Sequence, residues 1–217
     1  MIPTDDRNLY VCSFYSDKFQ YKFAAYRFRK QINKIGLITI SFIYDQSQFF
    51  SIIAHKYANL IKIFGSEKDK PGFAWFAWKP IIILESLKSM PEDSILLYAD
   101  IGCNLKANFN YWDSIIAKTK SSGMVTANSR GAGINQLGNK ELTWTKREVL
   151  EKLRMNEDDK NSPQYQATWI MIVNNKDNRT FVQEWVEMCT FEDFLLIKPT
   201  DEVSTQNSNF VRHSHDQ

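Results

Sequence analysis

One apolar segment constrains the fold of this chain more than any other feature. Residues 94–100 read Ser-Ile-Leu-Leu-Tyr-Ala-Asp, so that five apolar or aromatic side chains end abruptly in a carboxylate. A run without polar alternation is typical of a central strand that helices cover on both faces. We therefore predict a buried strand over 94–100, with Asp100 at the carboxyl end, where open α/β sheets bind ligands.

Strand-like and helix-like segments alternate along the rest of the chain. Runs rich in β-branched and aromatic residues predict further strands over 9–14, 37–44, 123–127 and 168–173. Helical spacing predicts helices over 19–32, 46–64, from Pro80 onward, 145–153 and 177–188, with a Gly/Asn-rich loop over 128–139. In the first helix the period is carried by Phe19, Phe23, Tyr26 and Ile32. The alternation favours one α/β domain over 1–217, a mostly parallel or mixed sheet flanked by helices.

Charge and cysteine content restrict the partners and the compartment. The 217 residues include 27 Lys and Arg against 25 Asp and Glu, and both signs are scattered along the chain. We therefore expect no one-sided basic surface and no nucleic-acid partner. Three widely separated cysteines indicate neither a disulfide framework nor a zinc ribbon, which favours the reducing cytoplasm. No apolar run is long enough for a transmembrane segment, whereas peripheral membrane association stays open.

Several standard catalytic motifs are absent from the sequence. It contains no G-x-G-x-x-G after the first strand, no G-x-x-x-x-G-K-[ST], no G-x-S-x-G and no H-E-x-x-H. These absences argue against Rossmann dinucleotide-binding, P-loop, α/β-hydrolase and zincin chemistry. Polar and aromatic residues instead concentrate at three places, over 75–80, 100–104 and 212–217.

Asp100 is the first candidate functional residue. With Gly102 two positions later, its carboxylate allows a phosphate group or a hydrated metal to approach the backbone closely. A divalent cation on a diphosphate needs one or two carboxylates and sometimes an imidazole, which Asp100, His213, His215 and Asp216 could supply. Two simpler interpretations stay open, since Asp100 could cap a turn and the histidines could belong to a polar tail.

The segment 72–80 reads Gly-Phe-Ala-Trp-Phe-Ala-Trp-Lys-Pro and is the second candidate. Its aromatic residues suit a core as well as a binding site. Lys79, at a predicted helix start, is suitably placed to reach a phosphate or a sugar hydroxyl.

The order of these motifs resembles a family of bacterial and viral glycosyltransferases of the GT-A fold, of the capsular and lipopolysaccharide biosynthesis type. The family's GxGxWxWKP and ilvYlDaGC stretches are similar to Gly72–Pro80 and Ile95–Cys103. Its E-x-x-(W/Y)-T-K, (S/P)-Q, F-x-x-E-W and H-R-H-D-Q-S motifs resemble Glu141–Lys146, Pro163–Gln164, Phe181–Trp185 and His213–Gln217. The chain ends inside the last motif, so we expect that 1–217 is truncated at the C-terminus or part of a longer chain.

The resemblance implies a GT-A fold, a Rossmann-like mixed sheet flanked by helices, and a specific site. It places a nucleotide-sugar donor, UDP-linked, against Phe14, Tyr15, Trp78, Lys79, Tyr98, Asp100, Gly102, Gln164 and Gln217. It implies a Mn²⁺ or Mg²⁺ ion on Asp100, His213 and His215, and catalytic roles for Asp100, Asp216 and Glu141. One departure bears on the metal. Gly102 replaces the second aspartate of the Asp-x-Asp motif, so metal dependence stays open.

The implied activity is sugar transfer from a nucleoside-diphosphate sugar to a hydroxyl of a surface glycan or glycolipid. Asp100 with a cation, aided by Lys79 or Lys146, would neutralise the leaving diphosphate. Asp216, Glu141 and His215 are candidate bases for an inverting reaction, whereas a retaining reaction needs no such base. The alternatives are a non-catalytic carbohydrate-binding or nucleotide-sugar-binding domain and a pyrophosphorylase-type transferase, although the turn at 15–18 lacks the glycines of the latter.

Overall fold

The computed structural model describes residues 9–128, 140–200 and 203–213. These residues form an α/β structure with a five-stranded mixed sheet flanked by helices, which confirms the predicted fold class at that level. The strands are β1 (Leu9–Tyr15), β2 (Ile38–Asp45), β3 (Ile95–Ala99), β4 (Met124–Asn128) and β5 (Tyr165–Val173). The predicted strand over 94–100 is therefore present as β3, which is buried along its whole length.

The strand order is β2-β1-β3-β5-β4. β1 pairs in parallel with both β2 and β3, whereas β5 runs antiparallel to β3 and to β4. The chain leaves β1 toward β2 on one side and later places β3 on the other side. This reversal makes the carboxyl ends of β1 and β3 a topological switch point, the usual position of a ligand crevice in open α/β sheets.

Ten helical segments of four residues or more lie in the described ranges. They are α1 (Phe19–Ile35), α2 (Gln46–Lys56), α3 (Ile61–Glu67), α4 (Gly72–Trp75), α5 (Trp78–Lys88), α6 (Phe109–Ser122), α7 (Glu141–Trp144), α8 (Arg147–Lys152), α9 (Glu157–Asn161) and α10 (Lys176–Thr190). Two single 3₁₀ turns, Ala58–Leu60 and Val203–Thr205, complete the set. None of the helices in these ranges has the combined length and hydropathy that a membrane crossing requires.

Helices cover both faces of the sheet with separate apolar clusters. One cluster joins alternate residues of β1 and β3, such as Cys12 and Tyr98, to helices α2, α5 and α10. The other joins the intervening residues, such as Val11 and Leu97, to α1 and α6. Because successive strand side chains point to opposite faces, a strand covered on both sides must be apolar throughout, as β3 is.

Helix α1 buries only one of the four residues that carry its predicted helical period, Ile32. Ala25, Phe28, Ile32 and Ile35 pack against the sheet. Phe19, Phe23 and Tyr26, which carry the predicted helical period, are instead 86%, 66% and 56% exposed. The helix ends at Gly36, whose φ of 65° is a left-handed conformation that glycine adopts readily.

Several segments differ from the sequence prediction. The helix expected over 46–64 is divided at Tyr57, whose φ of −137° and ψ of 46° are not helical. The segment 145–153, predicted as one helix, begins with extended backbone at Thr145. This residue separates helix α7 from helix α8. Helix α6 was not predicted. Asn128, expected in a loop, ends β4, and residues 129–139 of that loop lie outside the described residues.

Candidate functional site

A cleft of about 850 Å³ lies at the carboxyl ends of β1 and β3. Its wall is formed by the end of β1 and the turn after it, the first residues of α1 and α2, the segment 68–78 and the turn after β3. The cleft therefore occupies the switch point of the sheet, as the strand order requires. Its volume is within the range of about 300–1,000 Å³ that is typical of small-molecule sites.

The structure brings five predicted donor-binding residues together in this cleft. They are Phe14, Tyr15, Trp78, Asp100 and Gly102. These residues come from three distant parts of the chain, and the parallel pairing of β1 with β3 joins them. Gly72, Phe73 and Phe76 of the candidate segment 72–80 also line the cleft. The remaining wall includes residues that sequence reasoning missed, among them Asp17, Lys18, Tyr21, Lys68, Asp69 and Lys70. The charged turn at 68–70 was visible in the sequence, but only the tertiary fold places it beside β1.

Two buried side chains, those of Lys79 and Tyr98, contact the carboxylate of Asp100. The ammonium of Lys79 lies 3.3 Å from Asp100 Oδ1, and the hydroxyl of Tyr98 donates a hydrogen bond to the same oxygen. The Asp100 side chain is 32% exposed, whereas Lys79 is completely buried. The Asp100 backbone N–H also donates to Thr168 O at 2.8 Å, which fixes the strand end to β5. The carboxylate is thus oriented on the cleft wall before any ligand arrives.

The Lys79 ammonium has no solvent exposure but has several favourable contacts. It donates a hydrogen bond to Ala167 O at 2.9 Å. The ring centroids of Phe76, Trp78 and Tyr98 lie 5.3, 6.0 and 5.3 Å from Nζ, within the range of cation–π attraction. These contacts offset the cost of burying a charge. Lys79, a predicted donor-binding residue, does not line the cleft and contacts Asp100 instead.

The segment 72–76 crosses the cleft in a left-handed turn. Gly72, Phe73, Ala74, Trp75 and Phe76 all have φ between 51° and 65°. This conformation is unfavourable for L-residues other than glycine, and such strain is concentrated at ligand sites in proteins. The indole N–H groups brace the turn, since Trp78 donates to Gly72 O at 2.8 Å and Trp75 to Glu67 Oε2 at 3.0 Å.

Glu141 and Gln164 form a separate hydrogen-bonded group. Gln164 Nε2 donates to Glu141 Oε2 at 3.2 Å, and the Thr145 hydroxyl donates to the same oxygen at 2.8 Å. Gln164 is buried, and none of the three residues lines the cleft. The structure therefore brings these two candidates to each other and not to Asp100.

His213 and Lys146 are buried, and their hydrogen bonds connect distant parts of the chain. His213 Nε2 lies 2.8 Å from Leu196 O, and the Lys146 backbone N–H donates to His213 Nδ1 at 3.5 Å. Lys146 Nζ donates to the backbone carbonyls of Lys198 and Leu195, and burial lowers the pKa of its ammonium. Both side chains are engaged by backbone groups here. His215, Asp216 and Gln217 lie outside the described residues.

Two of the three predicted metal ligands, Asp100 and His213, lie in the described ranges, whereas His215 does not. The described residues hold no group of three or more His, Cys, Asp or Glu side chains arranged as metal ligands. One oxygen of Asp100 is already bonded to an ammonium and a phenol, and both nitrogens of His213 face backbone groups. A Mg²⁺ ion bound with substrate phosphates normally uses one or two carboxylates.

A second cavity, of about 390 Å³, lies on the α6 side of the sheet. Leu97, Trp112 and Met171, which belong to the α1 and α6 cluster, line it together with Cys103 and Trp169. Burial raises the pKa of the Cys103 thiol, and the negative charge of Asp100 adds to this effect. None of the predicted site residues that the structure describes lines this cavity.

Comparison of this chain with protein-family models, curated proteins and solved structures found no match.

Proposed function

We propose that this chain is a GT-A-type glycosyltransferase that moves a sugar from a UDP-linked donor to a hydroxyl of a surface glycan or glycolipid. The observation that carries the proposal is the cleft at the β1/β3 switch point, with Asp100 fixed on its wall by Lys79 and Tyr98. The ordered motifs of the sequence support it independently, because those of 72–80 and 95–103 meet in this cleft.

The composition of the cleft suits a nucleotide sugar. Aromatic rings from Tyr15, Tyr21 and Phe76 offer stacking surfaces for a base or a pyranose. Lys18, Lys68 and Lys70, all exposed, supply positive charge for a diphosphate without a metal. Asp17 and Asp69 keep the cleft close to neutral overall, which agrees with a ligand that has a charged centre and neutral ends.

In the proposed reaction an acceptor hydroxyl oxygen bonds to the anomeric carbon while the bond from that carbon to the diphosphate breaks. The UDP leaves with the electron pair of that bond, and the lysines of the cleft compensate its charge. Asp100 accepts hydrogen bonds from donor hydroxyls and orients the sugar. The hydroxyl proton passes to a base in an inverting reaction or to the leaving phosphate in a retaining one. Of the predicted bases, Glu141 does not line the cleft, and His215 and Asp216 lie outside the described residues.

One observation favours a second candidate, a nucleotide-sugar-binding domain without catalysis. Asp100 is the single carboxylate at the Asp-x-Asp position, and Lys79 already compensates its charge. Such a site could hold a sugar and still lack the groups that drive transfer.

Ligand-induced stabilisation tests the shared part of both candidates. A ligand that binds only the folded state at about 100 times its Kd adds about 2.7 kcal/mol of stability. For a chain of this size that corresponds to a Tm rise of roughly 5–10 °C. UDP, UDP-glucose and UDP-N-acetylglucosamine are the probes, each with EDTA and with Mn²⁺. We expect stabilisation in both conditions, and its absence with every probe would remove the proposal's support.

A charge reversal in the cleft, K68E/K70E, should abolish the stabilisation. The matched control is K118E/K120E, which makes the same charge change at exposed positions of α6 outside the cleft. Release of UDP from a bound UDP-sugar, measured with a coupled assay, then separates the two candidates. Binding with slow UDP release supports the transferase, whereas binding with no release supports the non-catalytic domain.

A further inference from the structure

Helix α1 has a second apolar face that points into solvent. Phe19, Phe23 and Tyr26 follow the spacing i, i+4, i+7, which places them on one side of a helix. They are 86%, 66% and 56% exposed, while Ala25, Phe28 and Ile32 on the opposite side are buried against the sheet. Large exposed aromatic residues aligned in this way are unusual unless the surface binds a partner.

Positive charge surrounds this aromatic face. Six of the 27 Lys and Arg residues lie between positions 18 and 35, and no acidic residue lies there. The remaining sequence has 21 basic and 25 acidic residues. The expectation that both signs are scattered is therefore wrong for this segment, because the small net charge of +2 conceals a basic helix in an otherwise slightly acidic chain.

Part of this charge is committed to the fold and part is available. Arg27 donates to the carbonyls of Ile101, Gly102 and Cys103, and thereby ties α1 to the turn after Asp100. Lys22 and Lys30 are exposed on the aromatic side. Lys30 Nζ lies 4.6 Å above the Tyr26 ring, and Lys22 lies 3.7 Å from Asp17.

We propose that the outer face of α1, defined by Phe19, Lys22, Phe23, Tyr26 and Lys30, docks on an anionic membrane surface. Aromatic side chains that insert at the headgroup boundary, flanked by lysines that meet anionic headgroups, are the signature of interfacial helices. Lys18 and Tyr21 of the same helix line the cleft, so docking brings the cleft close to the membrane. The proposal depends on the exposure of these aromatic side chains and on the charge of these lysines, and it does not depend on the proposed glycosyltransferase function.

The geometry favours a lipid surface over a nucleic acid. Single strands bind in a basic groove that tracks the backbone for several nucleotides, with rings as stacking platforms. Here the rings project from a convex helix, and the acidic excess elsewhere in the sequence provides no extended basic track.

Vesicle co-sedimentation tests the proposal with the full chain. The probes are vesicles of phosphatidylcholine alone and of equimolar phosphatidylcholine and phosphatidylglycerol. We expect binding to the anionic vesicles alone, weakened by salt. Because each lysine near an anionic surface contributes about fivefold to partitioning, K22E/K30E should weaken binding at least about twentyfold. F19S/F23S should also reduce binding, but at low salt it should keep the preference for anionic vesicles.

Matched control variants distinguish the contribution of this surface from the general effects of changing charge or removing exposed aromatic rings. K118E/K120E makes the same charge change on α6, and F109S/F181S removes two rings that are 51% and 47% exposed elsewhere. Both controls should bind vesicles like the wild type, and circular dichroism should show that all four variants are folded. Equal loss in the controls overturns the proposal, as does binding of single-stranded RNA without vesicle binding, or a dimer in solution that K22E/K30E dissociates.

Discussion

The ammonium of Lys79 lies 3.3 Å from Oδ1 of Asp100, although Lys79 is fully buried and Asp100 is partly exposed. The pair joins the first turn of α5 to the end of the central strand β3, and Tyr98 donates a hydrogen bond to the same carboxylate oxygen. A fixed cation under a cleft carboxylate orients that group and compensates its charge. The relationship therefore connects the stability of the fold to the chemistry of the cleft.

The coupling between these two charges can be measured directly. In a double-mutant cycle with K79M, D100N and the double variant, we expect a coupling free energy of about 1–3 kcal/mol from urea unfolding. This is less than for a fully buried pair because Asp100 is partly hydrated. Lys160 and Glu157 form an ion pair on α9 at 2.7 Å, with side chains 31% and 79% exposed, and should couple by less than about 0.5 kcal/mol because neither charge is buried. Equal coupling free energies in the two cycles would show that burial of Lys79 does not strengthen its interaction with Asp100.

Gly72 of the cleft wall and Gly65 of α3 should respond in opposite directions to alanine. Gly72 has a φ of 65°, and a Cβ there would lie 2.2 Å from the Phe76 ring. G72A should therefore destabilise the fold by more than about 1 kcal/mol and perturb the left-handed turn. Gly65 lies within α3 with no atom near its Cβ position, so G65A should stabilise by about 0.5–1 kcal/mol. Chemical denaturation measures both, and a neutral G72A would contradict the turn geometry.

Acid should weaken the contact between α5 and the end of α2 through Glu85. Burial acts to raise the pKa of this carboxyl group, but hydrogen bonds from Lys56, Tyr57 and Lys88 outweigh it, so the pKa is lowered. A lowered folded-state pKa contributes stability above the unfolded value of about 4.3, and this stability is lost as pH falls through the folded value. Unfolding free energies between pH 7 and pH 3 should show a shallower acid loss for E85Q than for the wild type. Parallel pH profiles would contradict this role.

The sequence predicted the five strands and a mostly parallel or mixed sheet but not the order of the strands, and it located Asp100 correctly at the end of β3. The continuous apolar run over 95–99 is a local feature of the sequence, and it is enough to indicate the strand and its end. The bond from Lys79 to Ala167 spans 88 positions and arises only when β5 is paired with β3, so no local pattern could indicate it. The same limit applies to Lys68 and Lys70, whose position over the cleft depends on the fold.

Helix α1 shows a different limit of sequence reasoning. The helix has two apolar faces. One contains Phe19, Phe23 and Tyr26, and the other contains Ala25, Phe28 and Ile32. Helical periodicity predicts the helix from either face, but it does not indicate which face meets the sheet. Helix α6 was missed because its apolar residues are interspersed with serine, threonine and asparagine, which lower helix propensity.

The most direct test of the central claim is to locate the bound donor. Photolabelling with 5-azido-UDP-glucose, followed by mass spectrometry of the peptides, identifies the residues beside the uracil ring. We predict labelling within residues 14–21 or 68–78, two of the segments that form the cleft wall, and complete protection by excess UDP. Labelling confined to residues 103–115 beside the second cavity, or labelling that UDP does not prevent, would contradict the assignment of this cleft as the donor site.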